Sequence, residues 1–383
     1  MYILTRYVVW EVLKFFVAAL MGLTLLFTLA MGIQKGLQLG LPPTVMFRTM
    51  PFMLPEMLGI TIPVAMLFAV SSVFGRMTGA NEIVAVKSLG ISPMALIWPI
   101  VVLASFFSLA TVYMYEVAAT WCRPNVKRIV YESIEEIAYS MLQTNHSYSG
   151  PPEAPQLSIT VRRVEGRTLV QPMITIFGPP RVILTADRAE LATDIRARPP
   201  RLNITCYNTE VDADGQVSVY SAEPISRWLP IVVPGRPPYH RDWLAMREIP
   251  GRVAELRTRL RRLESLHHAE KALGDAPPED KDIDDCRENI YELQAEPYRR
   301  WSNGFTCLCF ALIGIPVAML WRHAEVLTNF FICFLPILGI YYPLLMMSQD
   351  LATSGKWPPG IFWMGNALLF AAAVLLLRRI IRH

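Results

Sequence analysis

Charge is scarce in this chain, and histidine scarcer. Asp, Glu, Lys and Arg make up 18% of its 383 residues and six are histidine, against 53% hydrophobic. So little charge excludes an ordinary soluble domain, whose core does not need so many uninterrupted apolar runs. The formal net charge of +4 leaves no electrostatic footprint for nucleic acid. Also missing is any Gly-x4-Gly-Lys-Ser/Thr sequence, since Gly355-Lys356 stands before Trp357; no nucleotide site of the chain's own is expected. His-Glu-x2-His is absent too: His267-His268 precedes Ala269-Glu270 in a polar stretch. No catalytic set, metal centre or cofactor is therefore expected. There is no Cys-x2-Cys. Cys307, Cys309 and Cys333 fall in apolar runs, where cysteine is usually a small hydrophobe. Cys122, Cys206 and Cys286 are far apart in the polar middle, which leaves at most one bridge open. The apolar N-terminal run lacks a small-residue cleavage site and reads as a retained span.

What is present is a set of runs long enough to cross about 30 Å of hydrocarbon. The chain is organised around two of them, Pro51 to Phe74 and about Pro93 to Tyr115. Between these, Gly75 to Ser92 restores polarity. Asn81 is placed to cap a short surface helix over Glu82 to Leu89, with Gly90 as its stop. Ile83, Val86 and Leu89 share one side of it, and Glu82 lies in the first turn, where a carboxylate suits the helix dipole.

The stretch Leu54-Pro55-Glu56, Ile62-Pro63-x-Ala65-x-Leu67-Phe68-Ala69-Val70, Gly75-Arg76, Asn81-Glu82-Ile83 and Gly90-Ile91-Ser92 resembles the LptF/LptG family of permeases, which export lipopolysaccharide. The resemblance implies that the surface helix is a coupling helix seated in a groove of a cytoplasmic ATPase, with Arg76, Asn81, Glu82 and Lys87 in the coupling segment.

Before the organising pair, MYILTRYVVWEVLKFF reads as an interfacial lead-in with Tyr2, Tyr7 and Trp10 at headgroup level. A first span runs to about Ile33, then a polar connection from Gln34 to Met50 carries Lys35, Arg48 and the Pro42-Pro43 break. After the pair, helical spacing continues at Val126, Ile129, Val130, Ile134 and Ile137, and Gln143 to Pro155 is rich in turn residues. The period then shifts to two. LSITVRRV, TLVQPMITIF, RVILTADRAEL, RLNITCYNTEV, QVSVYSAEPI and WLPIVV are separated by Gly, Pro and Asp-Gly breaks, which predicts an antiparallel sandwich or open barrel. Arg252 to Glu296 predicts a helical hairpin, with Val253, Leu256, Leu260 and Leu263 on one arm and Ile283, Cys286, Ile290 and Leu293 on the other, around the breaker Gly274 to Asp280. Three more spans follow: Asn303 to Leu320, Val326 to Met347 and Trp357 to Leu377.

The expected fold is an α-helical polytopic membrane protein with six transmembrane helices. By the resemblance, a periplasmic all-β jellyroll-like domain is inserted between the third and fourth. The expected boundaries are 1–118 for spans one to three with the surface helix near 76–90, 119–250 for the β-domain and its helical lead-in, 251–297 for the hairpin and 298–383 for the last three spans. Arg6, Arg76, Lys87, Arg322, Arg378, Arg379 and Arg382 lie on one side in short loops and Lys35, Arg48 and Lys356 on the other. That bias puts the termini in the cytoplasm of a bacterial inner membrane.

Charges near hydrocarbon are the remaining candidates. Glu56 stands inside the second span and demands a partner or a wet cavity. Lys35, Arg48, Arg299 and Arg300 ring the outer side. The resemblance makes these five candidate substrate contacts, with Lys35 near the outer end of the first span and Arg299-Arg300 before the fourth. It also implies the partners: an LptB-like ATPase dimer, a second permease subunit (a paralogue or an identical copy), LptC-like and LptA-like periplasmic jellyroll proteins, and lipopolysaccharide or a similar glycolipid. Two other classes stay open. A membrane-anchored assembly or mechanotransmission factor would lack a lipid-sized cavity between spans one, two and five. An intramembrane enzyme built on Glu56 would need a second titratable group facing it, and the sequence offers no clear candidate.

Overall fold

The computed structural model describes residues 2–39, 41–149, 157–177, 182–194, 201–213, 217–230, 244–273, 280–321 and 326–382. The Gly-Pro and Asp-Gly breaks of the β-region, the hairpin breaker at 274–279 and Arg322 lie outside the described residues. Among these residues six helices are long and apolar enough to cross a membrane, which fits a polytopic membrane protein. The chain divides into two compact units. One comprises residues 1–28, 53–123 and 241–383; the other comprises 29–52 and 124–240.

The helices run longer than the apolar pattern alone marks. The lead-in and first span form one helix, α1 (Tyr2–Leu39), and α2 covers Pro43–Gly79. The connection expected over Gln34 to Met50 is therefore helical on both sides of Pro42. Proline is tolerated at the first helical position because its missing N–H would be unpaired there anyway, so the Pro42-Pro43 break starts α2 at once. The short α3 (Glu82–Ser88) leads to α4 (Met94–Val117). A π-turn at Ala118–Cys122 continues into α5 (Arg123–Glu132), and α6 covers Ile134–Asn145. In the second half, α7 (Ile249–Leu273) is followed by α8 (Asp280–Leu320), a single 41-residue helix that holds both the second hairpin arm and the fourth span. The fifth span is α9 (Val326–Pro336), a π-turn at Ile337–Tyr341, and α10 (Tyr342–Thr353). The sixth is a short 3-10 turn (Pro359–Trp363) and α11 (Met364–Arg382).

In the first unit α2 is the central post. Ala65, Met66, Ala69, Val70, Val73 and Phe74 have no exposed surface, and they pack among Val12 and Phe16 of α1, Ile97 and Ile100 of α4, and Ala311 and Ile315 of α8. Leu67 turns to a second cluster with Phe310 of α8, Cys333 of α9, Tyr341 and Leu369 of α11. Several polar side chains inside this bundle bond to one another or to backbone across helices. Thr24 and Thr61 hydroxyls meet at 2.9 Å. Ser302 donates to the Phe362 carbonyl at 2.7 Å, Asn366 donates to the Ser302 carbonyl at 2.8 Å, and the Thr306 and Tyr341 hydroxyls lie 2.7 Å apart, tying spans four, five and six. The hairpin arms bury Ile249, Val253, Ile290 and Leu293 against each other, with Leu256 and Leu260 beside them.

Among the described residues of the second unit, nine strands form one continuous antiparallel sheet: β1 (Ser147–Ser149), β2 (Leu157–Thr160), β3 (Arg163–Glu165), β4 (Thr168–Val170), β5 (Met173–Ile176), β6 (Val182–Asp194), β7 (Arg201–Ala213), β8 (Val217–Ser221) and β9 (Ile225–Pro230). The expected run LSITVRRV divides into β2 and β3, TLVQPMITIF into β4 and β5, and β1 lies in the segment expected as turns. A line of bending explains the second division. Gln171 and Asn208 both take left-handed backbone angles (φ 50 and 51). Asp187 is skipped in the β6–β7 register, between Ala186↔Thr209 and Arg188↔Tyr207. Along that line β6 exchanges β5 for β4 and β7 exchanges β8 for β9, while the β6–β7 register itself is unshifted, Asp187 standing opposite Asn208. The Asn208 amide donates to Asp187 at 3.1 Å across it.

All six cysteines are free and buried. Burial among the strands pushes the Cys206 thiol up to about 11, which keeps it protonated. The crossing of α4 and α8 leaves no room for a side chain at Gly304, where an added Cβ would sit 2.2 Å from the Val112 side chain and 3.2 Å from the Ser108 carbonyl. Gly304→Leu is expected to destabilise the full chain in detergent micelles by about 1–3 kcal/mol, read as a lowered thermal midpoint. Gly22→Leu, which meets nothing within 4 Å, should leave it unmoved.

Candidate functional site

Two belts of charge flank the apolar bundle. The inner one is built where α2 ends. Asn81 stands at the N-cap position as expected, but it adopts φ 59 and makes no side-chain cap. Asparagine tolerates left-handed angles better than most residues, and here that conformation turns the chain from α2 into α3. The stop at Gly90 is as the sequence predicts. Its N–H bonds the Lys87 carbonyl and that of Ile91 bonds Val86, the paired bonds of a Schellman ending. Ile83 and Val86 join the main core, whereas Leu89 is 76% exposed; the helix buries two of the three residues expected on its inner face. Outward it presents Val84, Ala85, Ser88 and Leu89.

Around this helix, Arg76 reaches Glu11 of α1 at 2.9 Å, and Lys14 meets the same carboxylate at 3.0 Å. The Lys87 ammonium donates to the Ile380 carbonyl near the end of α11 at 3.5 Å. A cavity of about 270 Å³ lies beside Lys87, lined also by Thr78, Met319 and Arg379. Glu82, half-buried, has no ion-pair partner among the described residues.

The outer belt lies about 20 residues, or roughly 30 Å, up α2. There Glu56 pairs with Arg123 at 3.0 Å. Arg123 is the partner that burial of a carboxylate requires; it follows the π-turn, outside the third span as the sequence marks it. Close by in the same unit, Arg300 is 3% exposed and bonds Glu296 at 2.9 Å and Glu116 of α4 at 2.7 Å. Glu116 also accepts the Met246 N–H at 3.0 Å. Arg299 bonds both oxygens of Glu296 at 2.8 Å. Arg300 thus joins the third span, the lead-in to α7 and the fourth span. Lys35 and Arg48 lie in the other unit, on the α1–α2 elbow, where Gly32 and Gly36 receive Met50 and Met46. Lys35 is half-buried and Arg48 exposed. Sequence reading passed over Glu11, Glu116 and Glu296. The last was detectable, since Glu296 stands three and four residues before Arg299 and Arg300 and so shares their helix face.

Residues 6–379 match the family described as lipopolysaccharide export system permease LptF/LptG. The chain belongs to the LptF/LptG family. A search of curated proteins finds no match. As an LptF/LptG member this is a multi-pass inner-membrane protein with a permease role in lipopolysaccharide export, and not an enzyme in its own right.

Arg300 is the residue whose loss the outer belt tolerates least. Arg300→Ala strands Glu296 and Glu116 without their cation and is expected to cost about 3–5 kcal/mol. Arg48→Ala, exposed, is expected within about 0.5 kcal/mol of the parent. Thermal unfolding of the two variants in the same micelles measures the difference.

Proposed function

We propose that this LptF/LptG chain is the transmembrane subunit of an ABC transporter, and that α3 receives the stroke of a separate cytoplasmic ATPase. The single observation that carries this reading is the build of α3. Ile83 and Val86 are embedded in the bundle core while Val84, Leu89 and the unpaired Glu82 face outward. A body pressing on that face pushes on α2, the most enclosed helix, 83% of whose apolar window is buried. Arg76, Asn81 and Lys87 hold the elbow in register: Arg76 through Glu11, Lys87 through the end of α11, and Asn81 through its left-handed turn.

In this mechanism α2 carries the push roughly 30 Å to the outer belt. Spans one and five are the least enclosed, at 22% and 17%, and supply the faces for a second permease subunit, with a glycolipid pathway between the two. Lys35 and Arg48 are the cations presented to a phosphorylated headgroup. Glu56, Arg299 and Arg300, already paired, shape the wall instead of gripping the ligand. The termini face the cytoplasm. The sheet lies in the periplasm as a jellyroll-like station that passes acyl chains to LptC-like and LptA-like bridges by edge-strand pairing. Withdrawing acyl chains costs about 0.8 kcal/mol per CH₂, which is why an outside source of energy is needed.

Glu82→Ala is expected to leave the protein inserted and the ATPase active while transfer of lipopolysaccharide from proteoliposomes to a soluble periplasmic acceptor falls at least tenfold. Undiminished transfer by that variant removes α3 from the mechanism.

A further inference from the structure

Helix α7 carries more positive charge than it can neutralise. Its two described carboxylates are occupied: Glu255 accepts from Arg252, and Glu264 accepts from Arg287 of α8 at 3.2 Å. Arg257, Arg259, Arg261 and Arg262 are all exposed, and among the described residues none of them forms an ion pair. The exposed acids described on α8, Asp284, Asp285 and Glu288, form none with them either; Asp284 pairs with Arg287 instead. At 100° per residue, Arg257 and Arg261 lie on one flank of the row Leu256, Leu260 and Leu263, and Arg259 lies on the other. Arg262 lies on the flank of Arg259, as far round from the row as Arg261 is on the other side. The four make a collar around α7 wherever it does not touch α8. Like charges this close repel, and an anion of matching geometry relieves that repulsion.

The collar's height narrows the choice of anion. Cys286 lies against the Leu256 carbonyl and Arg287 against Glu264, so the collar is level with this part of α8. Arg287 stands 13 residues before Arg300, which is roughly 20 Å along the same helix from the outer belt. Phospholipid phosphates lie at the belt. At 20 Å beyond it a glycolipid still offers its sugars.

We propose that the α7 collar is a docking subsite for an acidic glycan, the phosphate- or carboxylate-bearing sugars of the exported glycolipid, held by charge-assisted guanidinium bonds. The proposal rests on the permease reading for the identity of the ligand, but the collar's affinity can be measured without export.

The test uses the full chain in phosphatidylcholine nanodiscs and fluorescence anisotropy with two labelled probes, phosphorylated maltohexaose and plain maltohexaose. Wild type should bind the phosphorylated probe and not the plain one, with affinity falling steeply as salt rises. The quadruple variant Arg257→Gln, Arg259→Gln, Arg261→Gln, Arg262→Gln should bind it at least tenfold more weakly and unfold at the parent midpoint, since all four side chains are exposed. The corresponding lysine quartet should recover part of the affinity. Equal binding by the glutamine quartet, or equal binding of the plain probe, overturns the proposal. So does a quartet that loses affinity for phosphatidylglycerol vesicles alone, because the ligand would then be a membrane phosphate. If the collar binds as stated while Glu82→Ala exports normally, the coupling reading fails and the subsite stands.

Discussion

Placing a charge in hydrocarbon is expensive, and that cost sets the architecture of the membrane half. No Asp, Glu, Lys or Arg occurs on α2 between Glu56 and Arg76, on α4 between Met94 and Glu116, on α8 after Arg300, or in the fifth span before Asp350. The ionised groups gather in two belts about 30 Å apart, the thickness of a bilayer's apolar core. Several within each belt are paired: Glu11 with Arg76 on the inner side, Glu56 with Arg123 and Arg300 with Glu116 and Glu296 on the outer. Pairing cancels much of the desolvation penalty, and it also fixes which helices stand side by side.

This constraint divides the charged residues into two kinds. Arg300 and Glu56 hold the bundle together, because both ends of each interaction belong to the chain. Glu82, Lys35 and Arg48 are left without an ion-pair partner among the described residues, on segments that face outward or on the elbow. In the mechanism we propose, the second kind is left for the ATPase and the cargo. Residue type does not separate the two, because a buried arginine and a snorkelling one read alike along the chain.

The spans, the surface helix and its Gly90 ending were legible in the sequence because each follows from local chemistry: length of apolar run, return of polarity, a residue free to take a positive φ. What escaped depended on tertiary packing. Backbone hydrogen bonding does not stop where hydrocarbon stops, so α8 runs through a boundary that hydropathy alone would mark. Leu89 has helical spacing with Ile83 and Val86 yet faces outward, because the core covers little more than one turn of α3. Gln171 and Asn208 bend the sheet although neither is a glycine, and only their alignment across strands with Asp187 makes the line visible. Asn81 was read as a cap from its identity, whereas its backbone does the work. Arg123 was visible as a residue but not as a partner, since the π-turn that precedes it has no sequence signature here.

The unbroken course of α8 has a mechanical consequence. Forty-one residues make a shaft roughly 60 Å long, anchored near its middle by Arg300 and at Gly304 by backbone contact with α4. Pivoted at such a point, it acts as a seesaw: leaning by about 5° sweeps its ends in opposite directions, several ångströms in total over that length. A shift at Leu320 is passed toward Asp280 along one continuous helix, with the backbone bonds missing at Pro297 and Pro316 as its softer points, so the two faces of the membrane share one moving part.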